Sequence, residues 1–323
     1  MPVAERPSPR TPAYTPAPMP APANATPAQI RDVNTRYHDG AAAGYDAKWG
    51  IDYGEVGQAQ VLGKVRKALG REPGLFARSL EIGAGTGYFS LNLLQAGVVG
   101  EAVCTDIAPG MLRALEENAR RLGVDVATAA CDAERLPFDD ASFDLVLGHA
   151  VLHHLPDLHQ AFAEFRRVLR PGGTVLFAGE PSRYGDRLAA VPKRAAARVA
   201  PLWRAAMRAG PARNGDADGG AENHALEGLV DVHAFTPETL AGAARAAGLA
   251  DVRVRGEELL ANWFGWANRA LEATADPEQV PWAWKVYAFR GYLALQEVDR
   301  RLLEPRLPPA IFYNLMLTAH RPA

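Results

Sequence analysis

From about residue 79 the chain settles into a rhythm of short apolar runs alternating with segments of helical spacing. Residues 79–82, 101–105, 124–130, 143–148 and 174–178 read as strands, and 88–95, 111–122 and 158–169 as helices. Pro171-Gly172-Gly173 reads as a turn. Upstream, Tyr37, Tyr45 and Trp49 recur at roughly helical intervals, and a helix is expected over about 57–69. Downstream, strands are expected at 251–254 and near 314–319. This alternation predicts an α/β fold: a seven-stranded, mostly parallel sheet with helices on both faces.

Two stretches break the rhythm, 181–233 and 257–310, and both are too long for simple connections. They are expected as helical insertions forming a cap. The chain then divides into a tail (1–28), a core (29–180), a first insertion (181–233), a continuation of the core (234–256), an aromatic insertion (257–310) and a final core strand (311–323). Pro192 and Pro201 are expected to break the helix of the first insertion, which ends in a polar loop at 214–220. In the tail, nine of the 25 prolines lie between Pro2 and Pro27. Such a segment buries too little apolar surface to offset its ordering entropy, so disorder is expected to about Ala28. It has no apolar stretch of the secretory kind.

Composition narrows the classes. The chain has 323 residues, 48% hydrophobic and 22% charged, with a formal charge of -2. That balance is globular and lacks the basic field of nucleic-acid binders. Two cysteines, Cys104 and Cys131, are too few for a disulfide framework or a metal cluster. They are expected as buried fillers in a reduced, cytoplasmic compartment.

The chemistry starts at Glu81-Ile82-Gly83-Ala84-Gly85-Thr86-Gly87, where a strand runs into a glycine turn and then a helix. Glycine lets backbone and ligand approach closely, and the helix offers free N–H groups. Asp106, about twenty residues on at a strand end, is placed to accept from both ribose hydroxyls of a nucleotide cofactor. A dinucleotide fingerprint would need glycine at position 88, and Tyr88 stands there.

The segments LEIGAGTGYFS, CTDIAPGMLRALEENA, CDAERLPFDDASFDLVLGHAVLHHLPD and RRVLRPGGTVLF resemble class I S-adenosylmethionine-dependent methyltransferases, nearest to the small-molecule and quinone branch. The resemblance covers about 37–180. It implies a Rossmann-like core with S-adenosyl-L-methionine as cofactor. Gly83, Gly85 and Gly87 would cradle the methionine part, with Glu81 near its amino group. Asp106 would hold the ribose, and Ile107 would pack on the adenine. Asp132 and the Ala133 N–H would meet the adenine edge. His149 would lie beside the sulfonium, and Tyr37 and Tyr45 would belong to a helix closing over the cofactor.

Some small-molecule O-methyltransferases of this family use a histidine of the same segment with a nearby carboxylate. By that resemblance His153 or His154 is the base, oriented by Glu180. The same pair also fits a structural or cofactor-pocket role. His233 is a weaker candidate.

The acceptor is expected to be a small, apolar or aromatic molecule methylated on oxygen or carbon. Alternatives are C-methylation of a quinone or lipid, and a degenerate methyltransferase fold serving as an interaction subunit. Gly148-His149-Ala150-Val151 replaces the Asn- or Asp-Pro-Pro-Tyr/Phe segment of base-modifying relatives, so no nucleic-acid partner is expected.

The insertions carry two further patterns. Residues 183–213 hold eight Lys or Arg and one acid, Asp186, among Leu188, Val191, Val199, Leu202 and Trp203. That pattern suits a solvated cap helix, or a basic amphipathic helix that meets an acidic acceptor or lies on an anionic membrane. Trp263, Phe264, Trp266, Trp282, Trp284, Tyr287, Phe289 and Tyr292 suit an acceptor pocket or the packing of cap helices.

Overall fold

A computed structural model describes residues 25–212 and 232–323. Most of the expected disordered tail and the polar loop at 214–220 lie outside the described residues. The first described helix starts just before Ala28. Thr26 accepts from Gln29 N and Gln29 returns to the Thr26 backbone, a reciprocal cap that starts α1 at Pro27–Ala41. A 3-10 turn, Ala42–Gly44, leads into α2 (Tyr45–Trp49), and α3 spans Glu55–Leu69.

The alternation then follows as β1 (Phe76–Ile82), α4 (Tyr88–Gln95), β2 (Val99–Asp106), α5 (Pro109–Leu122), β3 (Ala127–Ala130), β4 (Phe143–His149), α6 (Leu158–Val168) and β5 (Leu169–Pro181). The first long stretch supplies α7 (Arg183–Met207). After it come α8 (Pro237–Ala246), β6 (Ala250–Glu257), α9 (Leu260–Glu272), α10 (Trp282–Val298) and β7 (Asn314–His320). The sheet has seven strands in the order β3-β2-β1-β4-β5-β7-β6. Strands β1 to β5 pair in parallel, and β7 runs antiparallel to both its neighbours. Chain order reverses between β1 and β4, so a crevice opens at their carboxyl ends.

Both faces of the sheet are covered, as a parallel sheet requires. The last four residues of β1 are all buried. β4 sends Val146 to a layer with Phe162 and Phe165 of α6. It sends Leu145 and Leu147 to the opposite layer, with Val61 and Val65 of α3 and Phe89 of α4. Burying each such side chain stabilises the fold by about 1.5–3 kcal/mol.

Three expectations change. The third strand is shorter than 124–130, because pairing with β2 begins only at Ala127. The Pro171-Gly172-Gly173 turn is an irregularity inside β5: Leu169 pairs Phe143, and Thr174 already pairs Leu145. The intervening backbone finds partners beyond β7, with Gly172 N on Arg321 O and Arg321 N on Gly173 O, each at 2.9 Å. Pro192 and Pro201 do not break α7, which runs through both. The carbonyls these prolines deprive of a donor belong to Leu188 and Ala197, on the exposed side of the helix. Ala189, Ala196, Ala200 and Trp203 meanwhile anchor the buried side. No helix among the described residues is long and apolar enough to cross a membrane.

Candidate active site

The glycine turn leaves β1 with three residues in the left-handed region: Gly83 at φ 60°, Gly85 at 54° and Gly87 at 97°. A Cβ on Gly87 would sit 2.8 Å from Leu91 Cδ1 and 2.9 Å from Leu115 Cγ, so that glycine is needed for packing. A Cβ on Gly85 would meet nothing nearer than Tyr45 Cε1 at 4.0 Å. Open space therefore reaches the backbone at Gly85, as a bound cofactor needs. From outside, Tyr53 Oη donates to Thr86 O at 2.7 Å, and Asn118 Nδ2 donates to it at 3.1 Å.

The cleft in front of the turn spans about 730 Å³ of space including its mouth. Gly83 and Gly85 line it, as do Asp106 and Ile107 from the end of β2, Asp132 and Ala133 beyond β3, His149 at the end of β4, and Tyr45. Asp106 Oδ2 accepts from Gly85 N and Oδ1 from Ala108 N, each at 2.9 Å. One carboxylate thus clamps two turns and keeps lone pairs for a ligand. Burial pushes its pKa up to about 6, against the backbone N–H groups of Ala108 and Gly85. This donor and acceptor set fits the ribose and adenine of S-adenosylmethionine.

Other expected residues stand behind the cleft wall. Glu81 lies under the turn, where its Oε2 accepts from Ser90 N at 2.9 Å. Burial pushes it up to about 7. Tyr37 is buried beside His38, with ring centroids 5.0 Å apart, and does not line the cleft. Gly87 does not line it either.

The expected histidine–carboxylate arrangement is split. Glu180 is fully buried at the end of β5. It accepts from Val151 N and Leu152 N at 3.0 Å, His153 N at 3.2 Å and His153 Nδ1 at 2.9 Å. Burial opposes its charge, but the His153 ring and the backbone donors outweigh burial and hold its pKa below the usual range. Glu180 therefore orients His153, which is buried and lies outside the cleft lining. His154 lines the cleft, its ring 3.9 Å from that of His153 and 5.4 Å from that of His38. His233 folds back on this segment, with its Nε2 at 2.9 Å from Leu155 O, but does not line the cleft.

His149 stacks on Phe89 at 4.9 Å and meets Tyr88 edge-on at 5.8 Å. Burial first, then the charge of Lys64, lowers its pKa to about 4, so it stands neutral at pH 7.

Local spacing left out the residues that α1 contributes. Arg31, Asn34 and His38 all line the cleft. Their separations of three and four place them on one helix face, a signal the sequence does carry. Arg31 Nε lies 2.6 Å from Asp132 Oδ2, and its other end pairs with Glu134. Burial, with His154 and His153 nearby, lowers His38 to about 3. Cys131 also lines the cleft instead of being a fully buried filler.

None of the eight insertion aromatics lines this cleft. Some pack on one another, with Trp284–Tyr287 at 5.2 Å and Phe264–Tyr287 at 5.6 Å, and Trp284 also meets Trp203 of α7 at 5.2 Å. Between α3 and β6 lies a buried ion cluster. Lys64 Nζ is 2.5 Å from Glu257, and Lys67 Nζ is 3.0 Å from Glu257 and 2.9 Å from Glu304. Tyr292 Oη donates to Glu258 at 2.8 Å.

Known proteins share this architecture. Residues 80–177 match the methyltransferase domain family. A malonyl-[acyl-carrier protein] O-methyltransferase of Geobacter sulfurreducens is 38% identical over 148 residues, 46% of this chain and 52% of the relative. A ubiquinone/menaquinone biosynthesis C-methyltransferase of Cupriavidus metallidurans is 43% identical over 98 residues, 30% of this chain and 40% of the relative. The chain thus spans about half, or less, of the length of these relatives. The Haemonchus contortus phosphoethanolamine N-methyltransferase 2, solved with S-adenosyl-L-methionine, superposes with a TM-score of 0.56 at 17% identity. That superposition covers 94% of this chain and 61% of the other, and it bears on the fold alone. Over residues 80–177 the chain thus matches the methyltransferase domain family, and its fold is shared with this solved methyltransferase.

Proposed function

We propose that the protein binds S-adenosylmethionine in this cleft and directs its methyl group to a small, apolar or aromatic acceptor. One observation carries the reading. The carboxyl ends of β1, β2, β3 and β4 bring the open Gly85 backbone, buried Asp106, arginine-paired Asp132 and neutral His149 onto one cleft. In this reading Asp106 accepts from the ribose hydroxyls, and Ile107 and Met111 cover the adenine. Asp132 and the Ala133 N–H hold the adenine edge. Arg31, paired with Asp132, ties α1 across the opening.

S-adenosylmethionine supplies a methyl already activated on a sulfonium, so alignment and water exclusion are the protein's main tasks. His149, held flat on Phe89, forms an uncharged wall beside the reacting centre. For a hydroxyl acceptor, His154 takes the proton, with His153 and Glu180 positioning it from behind. For a ring carbon no such base is needed. The O- and C-methyltransferase names of the two relatives support both chemistries equally.

Calorimetry with S-adenosylmethionine tests the reading. The wild type is expected to bind. Asp106→Ala should weaken binding about ten- to hundredfold, the loss of one charge-assisted hydrogen bond at about 1.5–3 kcal/mol. A wild-type chain that binds neither S-adenosylmethionine nor S-adenosylhomocysteine would defeat the enzyme reading and leave an interaction subunit. Mass spectrometry of phenolic, quinol and carboxylate acceptors then reports the methylated atom.

A further inference from the structure

Helix α7 carries a surface that the methyl-transfer site does not use. Its buried side is built of Gly185, Ala189, Lys193, Ala196, Ala200 and Trp203, and it packs against α9. Around the helix from that side, Tyr184, Leu188, Val191, Val199 and Leu202 are exposed, with Val191 at 64% and Leu202 at 75%. Their separations are helical, so they form one row roughly 27 Å long at the 1.5 Å rise of an α-helix. Arg183, Arg187, Arg194 and Arg198 are exposed as well. At 100° per residue they form a second row about a quarter-turn from the first. The only acid on α7, Asp186, is turned toward Lys193 at 3.7 Å.

Single exposed apolar residues are ordinary, but five on one helix face beside an arginine row are not. We propose that this face of α7 lies on an anionic membrane surface, its aliphatic row in the acyl boundary and its arginines on the headgroups. A second copy of the chain fits less well. A two-fold contact through the row would set the two arginine rows side by side, with Asp186 facing inward on each copy. A shaped protein groove also fits less well. The interior of the row is leucine and valine without an aromatic anchor, which suits a fluid apolar phase. Next to the end of α7, where Trp203 meets Trp284, α10 exposes Trp282, Tyr287 and Phe289. Such rings are favoured at headgroup depth. The proposal stands apart from the methyl-transfer reading, since docking needs no cofactor.

Co-sedimentation of the full chain with vesicles tests it. Vesicles of phosphatidylcholine alone are compared with vesicles containing an equal part of phosphatidylglycerol. Each is run at about 0.1 M and about 1 M salt, where the screening length falls from about 10 Å to about 3 Å. Binding is expected on the anionic vesicles only, and high salt should weaken it. Arg187→Ala with Arg194→Ala should lower partitioning tenfold or more, at about 1 kcal/mol per arginine near such a surface. Leu188→Asp with Val199→Asp should abolish it. These positions are exposed, and circular dichroism checks that the variants fold. Arg66→Ala, an exposed arginine on α3, should bind like wild type. Absence of vesicle binding overturns the proposal, as does equal binding by wild type and both double variants. It is also overturned if sedimentation velocity shows a dimer that Leu202→Asp dissociates, or if the chain binds polyglutamate but no vesicle.

Discussion

Burial, more than formal charge, sets the behaviour of individual residues around the cleft. Glu81 is a clear case: burial lifts its pKa from 4.5 to about 7. Between those values the folded chain holds a proton that the unfolded chain releases. The contribution to stability is therefore complete below pH 4.5 and lost as pH rises to about 7, a change of roughly 3 kcal/mol. Glu81→Gln cannot lose that proton. In urea titrations the stability gap between wild type and variant should shift by that amount across the window, to the disadvantage of the wild type. A gap independent of pH would contradict the assignment. The two histidines divide differently. His154→Ala should lower kcat on a hydroxyl acceptor by about 10²–10⁴ while S-adenosylmethionine affinity stays near wild type. Unchanged turnover would mean that His154 is not the base. His153→Ala instead removes the ring partner of buried Glu180, so its expected signature is a lower melting temperature.

Among the elements, α1 forms one wall of the cleft. Its polar ties include Arg31 to Asp132 and Glu134, and Asp39 Oδ1 accepting from Gly110 N at 2.5 Å. The arginine is partly exposed, so its loss should loosen the helix without unfolding the core. Hydrogen exchange is expected to quicken over residues 27–41 in Arg31→Ala and to slow again with S-adenosylhomocysteine. Identical exchange in wild type and variant would show that this tie does not hold α1. Legibility also varied by element. α4 falls on the expected 88–95, because a glycine turn starts it and local apolar spacing runs its full length. β5 and α7 departed from expectation. The partner of Gly172 is Arg321, nearly 150 residues away, and the support for α7 across its two prolines comes from packing on α9.

Across the whole molecule, one buried ion cluster joins α3 to β6 and to the segment after α10. Burial disfavours the Glu257 charge, but Lys64 and Lys67 outweigh burial and hold its pKa down to about 2. Its contribution is thus present above pH 4.5 and lost as pH falls toward 2. Glu257→Gln leaves two lysines short of their shared carboxylate and should cost about 3–5 kcal/mol in urea unfolding at pH 7. A cost below about 1 kcal/mol would mean that this junction does not depend on the cluster.

The order of strands and helices, the glycine turn and the placement of Asp106, Asp132 and His149 at strand ends were all legible in the sequence alone. Parallel strands of similar length share one carboxyl edge, so local periodicity suffices to put those residues there. Tertiary structure decided which of them face the cleft. It set Glu81 and Gly87 beneath the turn and His153 behind His154. It brought Arg31 onto Asp132 and paired Lys64 with Glu257, 193 residues away. Side-chain period tells which face of an element is apolar. The register between distant elements comes from packing, and no local spacing encodes it.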